Sequence, residues 1–245
     1  MVYRYCDLKV QRDELVKDQK KMQELLANSL PKVVIRQVQD KGEKPIIDGF
    51  GTILFADIVS FTVFSGTVNA VELVQILNRM FVLNDELAAE LNVEKIKTLG
   101  DCYVAATGVL TPMPDHAAQM IWMGLGMHKV MQQLNDEFNL DLHIRVGCNS
   151  GSVVGGVVGK KKLAFDIWGR TVDVANWMES EGVPDRVHVS QETYLRARTE
   201  GVLRFKKRET KIEFKEEKIQ TYVKETVFVG RKVCTTALLE PLISI

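Results

Sequence analysis

Two stretches decide the fold of this chain: GTILFADI at residues 51–58 and KIKTLGDCY at residues 95–103. Each contains an apolar, strand-like run that ends at an aspartate, Asp57 in the first stretch and Asp101 in the second. Two carboxylates on neighbouring strands suit a magnesium site, because Mg2+ is usually held by one or two carboxylates together with substrate phosphates. Either aspartate alone is more typical of a turn or a helix cap, so the prediction depends on the pair.

The residues around these stretches predict an α+β fold with a ferredoxin-like βαββαβ core. A buried strand at 52–56 is followed by a helix whose start is marked by Asn69 and Glu72, a capping-box-like pair. The other core elements are predicted as a hairpin with its tip at 99–101, a helix over 115–138, and a second hairpin formed by 142–148 and 153–158 around Asn149-Ser150-Gly151. Extra C-terminal elements are predicted as helices over 168–179 and 191–198 and as strands over 187–189 and 214–223.

Three segments organise the chain: an N-terminal helix or coiled coil and linker at 1–45, a main domain at 46–228, and a tail at 229–245. In the first segment Leu8, Leu15 and Met22 recur every seven residues. This spacing leaves two alternatives open, a short parallel coiled coil and a lone amphipathic helix.

The bulk composition excludes several classes of protein. The chain has 245 residues, of which 46% are hydrophobic and 26% charged, as in an ordinary globular protein. Its formal net charge is zero, which argues against nucleic acid as a partner. No apolar run is long enough to span a bilayer, no secretory leader is present, and the four scattered cysteines lack metal-ligand spacing. We therefore expect a cytoplasmic protein, or the cytosolic part of a membrane-anchored parent chain.

Four motifs in order make the chain similar to a class III nucleotidyl cyclase catalytic domain: FADIVSFT at 55–62, KIKTLGDCY at 95–103, RVG at 145–147 and FDIWG at 165–169. The resemblance implies the class III cyclase fold and an enzyme that converts a nucleoside triphosphate to a 3′,5′-cyclic monophosphate and pyrophosphate. It also implies a site shared by two such domains, in a homodimer or a heterodimer with a second cyclase domain. In a longer parent chain, an upstream sensor or membrane domain would signal through the N-terminal helix.

The resemblance assigns a role to each motif residue. Asp57 and Asp101 would be the catalytic ligands of two Mg2+ or Mn2+ ions per site, with the Ile58 carbonyl as a further ligand. The phosphates would be bound by Arg145 and by the backbone amides of Val59, Ser60, Phe61 and Thr62. Taken alone, an arginine within a strand is more often solvated or paired with a carboxylate.

Lys97 and Asp166 occupy the two positions that read the purine in this family. Lysine can only donate hydrogen bonds and an ionised aspartate can only accept them, which matches the N1 acceptor and amino donor of adenine. Guanine presents the opposite pattern and would leave both groups unpaired, at about 1–3 kcal/mol for each buried group. ATP is therefore the expected nucleotide. The alternative is that Lys97 is an exposed strand lysine and Asp166 a surface turn residue.

Two positions depart from the family pattern. The asparagine and arginine that stabilise the transition state in the family are replaced by Asp173 and Trp177. This degenerate pair resembles the first, metal-carrying domain of two-domain eukaryotic adenylyl cyclases, whose partner domain supplies the missing residues. The leading hypothesis is an adenylyl cyclase catalytic domain. The alternatives are a guanylyl cyclase subunit whose partner sets base choice, and a non-catalytic cyclase-like half that binds nucleotide and regulates a partner.

Overall fold

The computed structural model describes residues 12, 16–17, 30–41, 45–160, 163–197, 205–207, 212–214 and 217–224. The helices are α1 (Lys32–Lys41), α2 (Phe61–Ser65), α3 (Ala70–Glu90), α4 (His116–Phe138), α5 (Arg170–Ser180) and α6 (Gln191–Ala197). The strands are β1 (Ile46–Ile58), β2 (Glu94–Leu99), β3 (Cys102–Thr107), β4 (Ile144–Val158), β5 (Ala164–Trp168), β6 (Val187–Ser190), β7 (Phe205–Lys207), β8 (Ile212–Phe214), β9 (Glu217–Ile219) and β10 (Thr221–Lys224).

The predicted βαββαβ core is confirmed. Along the main sheet the strands run β2-β3-β1-β4-β6-β10-β7, with β5 paired to β4, while β8 and β9 form a separate two-stranded sheet. Strand β1 pairs antiparallel with β3, so that Ala56 lies opposite Tyr103 and Phe55 opposite Val104. Strand β2 returns antiparallel along β3 and closes the hairpin with Leu99 opposite Cys102. This order places the ends of the two motif stretches side by side.

Helices α3 and α4 cover one face of this sheet. The capping prediction for α3 is confirmed, because the Glu72 amide donates to the side chain of Asn69 at 2.9 Å. The apolar stripe of α3 packs into one cluster with α4 and with the sheet side chains Leu54, Ala56 and Tyr103. Since neighbouring strand residues point to opposite faces, Phe55 and Asp57 face away from these helices.

The predicted hairpin around Asn149-Ser150-Gly151 is wrong, since β4 runs without a turn from Ile144 to Val158. Neither Asn149 nor Gly151 has the positive φ that a tight hairpin turn needs. Gly151 is required instead by close packing, because a Cβ there would lie 2.4 Å from Thr171 Oγ1 on α5. Gly147 has the same role, with its ideal Cβ only 1.9 Å from the Glu179 amide nitrogen.

Other predicted boundaries shift. A helix occupies 32–41, within the segment predicted to contain the linker, the first strand starts at Ile46 and not at residue 52, and Trp168 ends β5 instead of starting a helix. The helices predicted over 115–138 and 191–198 are confirmed to within one residue at each end. Most of residues 1–29, on which the predicted heptad pattern falls, lie outside the described residues; within this range the structure describes 12, 16 and 17, which are helical. The tail at 229–245 also lies outside them, so the proposed division at 45 and 228 stays a prediction.

The chain divides into two compact units, one of residues 1–46 with 156–166 and one of residues 47–155 with 167–245. Among the described residues, no helix has the length and apolar character required to cross a bilayer.

Candidate active site

Asp57 and Asp101 come together at one end of the sheet, as the sequence predicts. Asp57 lies one residue before the end of β1, and Asp101 lies in the turn between β2 and β3. Gly100 makes that turn possible with a φ of 65°, a left-handed conformation that glycine adopts without strain. The Ile58 amide donates to Asp101 Oδ2 at 3.2 Å, and the carboxyl groups of Asp57 and Asp101 share a hydrogen bond.

The electrostatics of this pair fit a divalent cation. The pKa of Asp57 is raised to about 7, first by burial and then by the hydrogen bond to Asp101 and the negative charge of that neighbour. Burial also raises the pKa of the Cys102 thiol, with the Asp57 charge as the next cause. Two carboxylates crowded in this way repel each other unless they share a proton or a cation. No cluster of three or more acidic, histidine or cysteine ligands occurs in the described part of the chain, and two carboxylates plus phosphates are the usual Mg2+ ligand set.

The predicted phosphate turn follows directly after β1. Ser60 has a φ of 58° and caps the five-residue helix α2, whose Val63 and Phe64 amides donate to the Ser60 carbonyl at 3.0 and 3.1 Å. The amides of Phe61 and Thr62 belong to the first turn, where helix geometry provides no intrahelical acceptor. Phe61 and Phe64 anchor the turn by packing their rings on the core.

Arg145 is part of this site, and it brings a residue that sequence reasoning missed. Its Nε donates to Glu179 Oε1 at 2.9 Å, and its Nη2 lies 3.9 Å from Asp57 Oδ2. The Glu179 side chain is only 6% exposed, and burial raises the pKa of its carboxyl while Arg145 lowers it. Arg145 therefore already neutralises one buried carboxylate beside the aspartate pair. The one signal that could have revealed Glu179 is its position among apolar neighbours near the end of α5.

Lys97 points to the same face of the sheet as Asp57. A β-bulge between Lys95 and Lys97 places Lys97 opposite Val104, whereas Lys95 lies opposite Ala105. The bulge thus sends two lysines that are two residues apart to opposite faces. Lys95 stays on the helix-covered face, where its Nζ binds Asp85 Oδ2 at 2.7 Å and lies 5.2 Å from the Tyr103 ring centre. Lys97, and not Lys95, therefore lies on the face of the sheet that carries Asp57, which we call the carboxylate face.

The remaining predicted residues are placed as follows. Asp166 is half-buried in β5 and belongs to the smaller unit, so the reading of one purine by Asp166 and Lys97 together stays a prediction. Asp173 lies exposed in the first turn of α5, and Trp177, 41% exposed, lies one turn further along the same helix face. The structure therefore gathers Asp57, Asp101 and Arg145, adds Glu179, and directs Asp173 and Trp177 outward.

Comparison with known proteins agrees with this geometry. The profile of the family "Adenylate and Guanylate cyclase catalytic domain" matches residues 49–226. Adenylate cyclase type 9 of Xenopus laevis is 44% identical over 142 residues, which are 58% of this chain and 11% of that protein. The adenylate cyclase of Mycobacterium tuberculosis is 37% identical over 182 residues, which are 74% of this chain and 41% of that protein.

Among solved structures, the chain is similar to the catalytic core of a rhodopsin-guanylyl cyclase with converted specificity in complex with ATPαS. The TM-score is 0.68 at 31% identity, and the match covers 74% of this chain and 97% of that one. The chain spans 11% and 41% of the lengths of the two curated relatives described above.

Proposed function

The chain belongs to the adenylate and guanylate cyclase catalytic domain family, and on that premise we propose that it is the catalytic domain of an adenylyl cyclase. It would convert ATP to 3′,5′-cyclic AMP and pyrophosphate at a site formed between two cyclase domains. The single observation that carries the proposal is the Asp57–Asp101 pair, held beside Arg145 at the end of β1.

We assign the divalent cations to Asp57, Asp101 and the Ile58 carbonyl. When bound, Mg2+ or Mn2+ supplies charge neutralisation to the attacking and leaving oxygens of the triphosphate. The chain's own residues do the positioning. The raised pKa of Asp57 supports the assignment, because burial and the Asp101 carboxyl destabilise its anion even with Arg145 at 3.9 Å, and a bound cation would offset this.

The phosphates would contact Arg145 and the amides of Ser60, Phe61 and Thr62. The predicted contact with the Val59 amide is wrong, because that amide donates to the His143 carbonyl at 2.9 Å. The guanidinium is permanently charged and has five N–H groups, so the pairing of its Nε with Glu179 leaves its other N–H groups for an oxyanion. The Glu179 pair orients the guanidinium before the nucleotide arrives, which reduces the entropy lost on binding.

ATP is favoured over GTP by Lys97 and Asp166. A lysine on the carboxylate face supports this choice, because its ammonium can only donate to the N1 acceptor of adenine. One similar structure is described as a guanylyl cyclase core of converted specificity in complex with ATPαS. The alternative is a guanylyl cyclase subunit, for which a partner domain would set the base choice.

A second cyclase domain is the proposed partner. Trp168 and Trp177 are 44% and 41% exposed, and large apolar side chains left on a surface often mark an interaction site. The non-catalytic alternative is supported by Asp173 and Trp177, since neither can stabilise a charged transition state.

The test is to incubate the full chain with ATP and Mn2+, alone and with a complementing cyclase domain, and to measure cyclic AMP. A parallel assay with GTP decides base choice. Product from ATP that disappears in the Asp57→Ala variant would support the proposal. Absence of cyclic nucleotide in every combination, together with normal metal–ATP binding, would establish the non-catalytic half instead.

A further inference from the structure

A cavity of about 350 Å3 lies away from the carboxylate pair, between β4, the end of β6, the N-terminal half of α5, helix α6, and the residues that join β9 to β10. Thr171 lines this cavity at the beginning of α5, and Glu179 lies near the end of the same helix. Eight residues of helix separate them by about 12 Å along the axis. The cavity is therefore a separate feature of the larger unit.

Part of the cavity wall is polar and deeply buried. Asn149, Ser150 and Ser190 line it and are 7%, 4% and 2% exposed. Ser190 Oγ donates to Asn149 Oδ1 at 2.7 Å, and Asn149 Nδ2 donates to the Thr171 carbonyl at 3.0 Å. A primary amide offers two N–H donors and two acceptor lone pairs. Within the described part of the chain, the side chain of Asn149 thus uses one N–H and one lone pair, and it keeps one N–H and one lone pair that a ligand could engage.

A chain of hydrogen bonds holds this wall in place. Ser150 Oγ lies 2.9 Å from Thr193 Oγ1 and 2.7 Å from Thr52 Oγ1, and Thr52 Oγ1 lies 2.6 Å from His116 Nδ1. Buried networks of this kind are rigid when their members are satisfied. The wall is consequently pre-organised, which lowers the entropy cost of binding a ligand.

The rest of the lining contains apolar and charged side chains. Val174 and Leu195 supply apolar contact surface, and Arg170 supplies a cation. The acidic group in the lining, Glu192, is compensated by Arg196 at 2.7 Å. A ligand with an apolar body and a negative charge matches these groups.

We propose that this cavity binds a small hydroxycarboxylic acid with an apolar body. Its hydroxyl group both donates to and accepts from Asn149, its carboxylate pairs with Arg170, and its body lies against Val174 and Leu195. Each ligand group has a counterpart in the wall, which is the pattern of small-molecule sites: an apolar cleft with a few placed polar groups.

Mandelate is the probe, because it carries a phenyl body, one hydroxyl and one carboxylate. The full chain, labelled with 13C at valine and leucine methyl groups, is titrated by NMR without nucleotide or metal. The methyl resonances of Val174 and Leu195 should shift, while those of the exposed Val63 and Val71 should not. Because no reaction is followed, failure here is distinguishable from failure of the proposed cyclase activity.

Two matched ligands and two variants complete the experiment. Phenylacetate lacks the hydroxyl and methyl mandelate lacks the charge, so each should bind about tenfold more weakly than mandelate. Arg170→Gln should weaken mandelate about tenfold, and Arg36→Gln, which also removes an exposed arginine, should not. The methyl spectrum of each variant reports whether it is folded. Equal affinity for all three compounds, or for both variants, would overturn the proposal, as would shifts confined to other methyl groups.

Discussion

Gly147→Ala should detach the buried Glu179 from the candidate active site. The added Cβ would lie 1.9 Å from the Glu179 amide nitrogen and 2.4 Å from the Met178 carbonyl carbon, and both neighbours are backbone. Ordinary contact begins near 3.4 Å, so α5 would have to retreat from β4 by about 1.5 Å. Overpacking of this kind costs about 1–3 kcal/mol, and backbone neighbours place the change at the upper end. The same retreat would stretch the 2.9 Å bond between Arg145 and Glu179 beyond hydrogen-bonding range.

Two measurements check this prediction. Urea unfolding should give a free energy of unfolding about 3 kcal/mol below that of the unmodified chain, and cyclase activity should fall about 100-fold, the effect of a 1 Å misplacement at a reacting site. Gly66→Ala is the matched control, since its Cβ would find its nearest neighbour at 3.4 Å and its φ is −77°. It should be neutral or slightly stabilising. A Gly147→Ala protein as stable as the Gly66→Ala protein would refute the packing argument.

Three further predictions concern charge. Asp101→Ala should abolish product formation while the free energy of unfolding stays within about 1 kcal/mol, since the loss of its bonds to the Ile58 amide and to Asp57 is offset by the end of the repulsion between the two carboxyl groups; a large stability loss in urea would contradict this. Asp173→Asn with Trp177→Arg should raise the activity of the chain alone about 100-fold, because charge at the developing transition state is worth that much; unchanged turnover would mean that another residue fills the role. Burial lowers the pKa of His128 from 6.5 to about 4, so the folded state favours the neutral imidazole. The stability that depends on this neutral form is complete above pH 6.5 and is lost as the pH falls towards 4. Asp185 and Arg186 are the charges that act on His128. In the His128→Leu variant, the free energy of unfolding in urea should therefore lose about 3 kcal/mol less between pH 6.5 and about pH 4. An unchanged pH profile would contradict this prediction.

The sequence predicted those elements whose signals are local. The start of α3 follows from Asn69 and Glu72, which satisfy helix donors within one turn. The turn at Gly100 follows from a residue type suited to positive φ. That turn carries Asp101, and the apolar run of β1, another local signal, leads into Asp57. The aspartate pair of the candidate site was therefore predictable before any tertiary contact was known.

The features that the sequence did not predict depend on contacts between residues that are distant along the chain. Asn149-Ser150-Gly151 has the composition of a turn, yet Gly151 is small because Thr171 approaches it from a helix twenty residues away. The pairing of Arg145 with Glu179 joins residues 34 positions apart. The face to which Lys97 points depends on a bulge that strand periodicity does not reveal.

Helix α5 shows why one chain would be insufficient for the proposed reaction. Its inward side contributes Glu179, which holds Arg145 beside the chain's own carboxylates. Asp173 and Trp177 lie four residues apart on an exposed side of the same helix, turned away from the buried Glu179. If an arginine stood at the position of Trp177, it would therefore act on a nucleotide that is held by another domain. By the same geometry, the nucleotide at Asp57 and Asp101 would receive its asparagine and arginine from the partner's equivalent helix. Mixing this chain with a domain that retains that pair but lacks the aspartates should then restore one complete site per dimer, and a mixture no more active than its components would reject this arrangement.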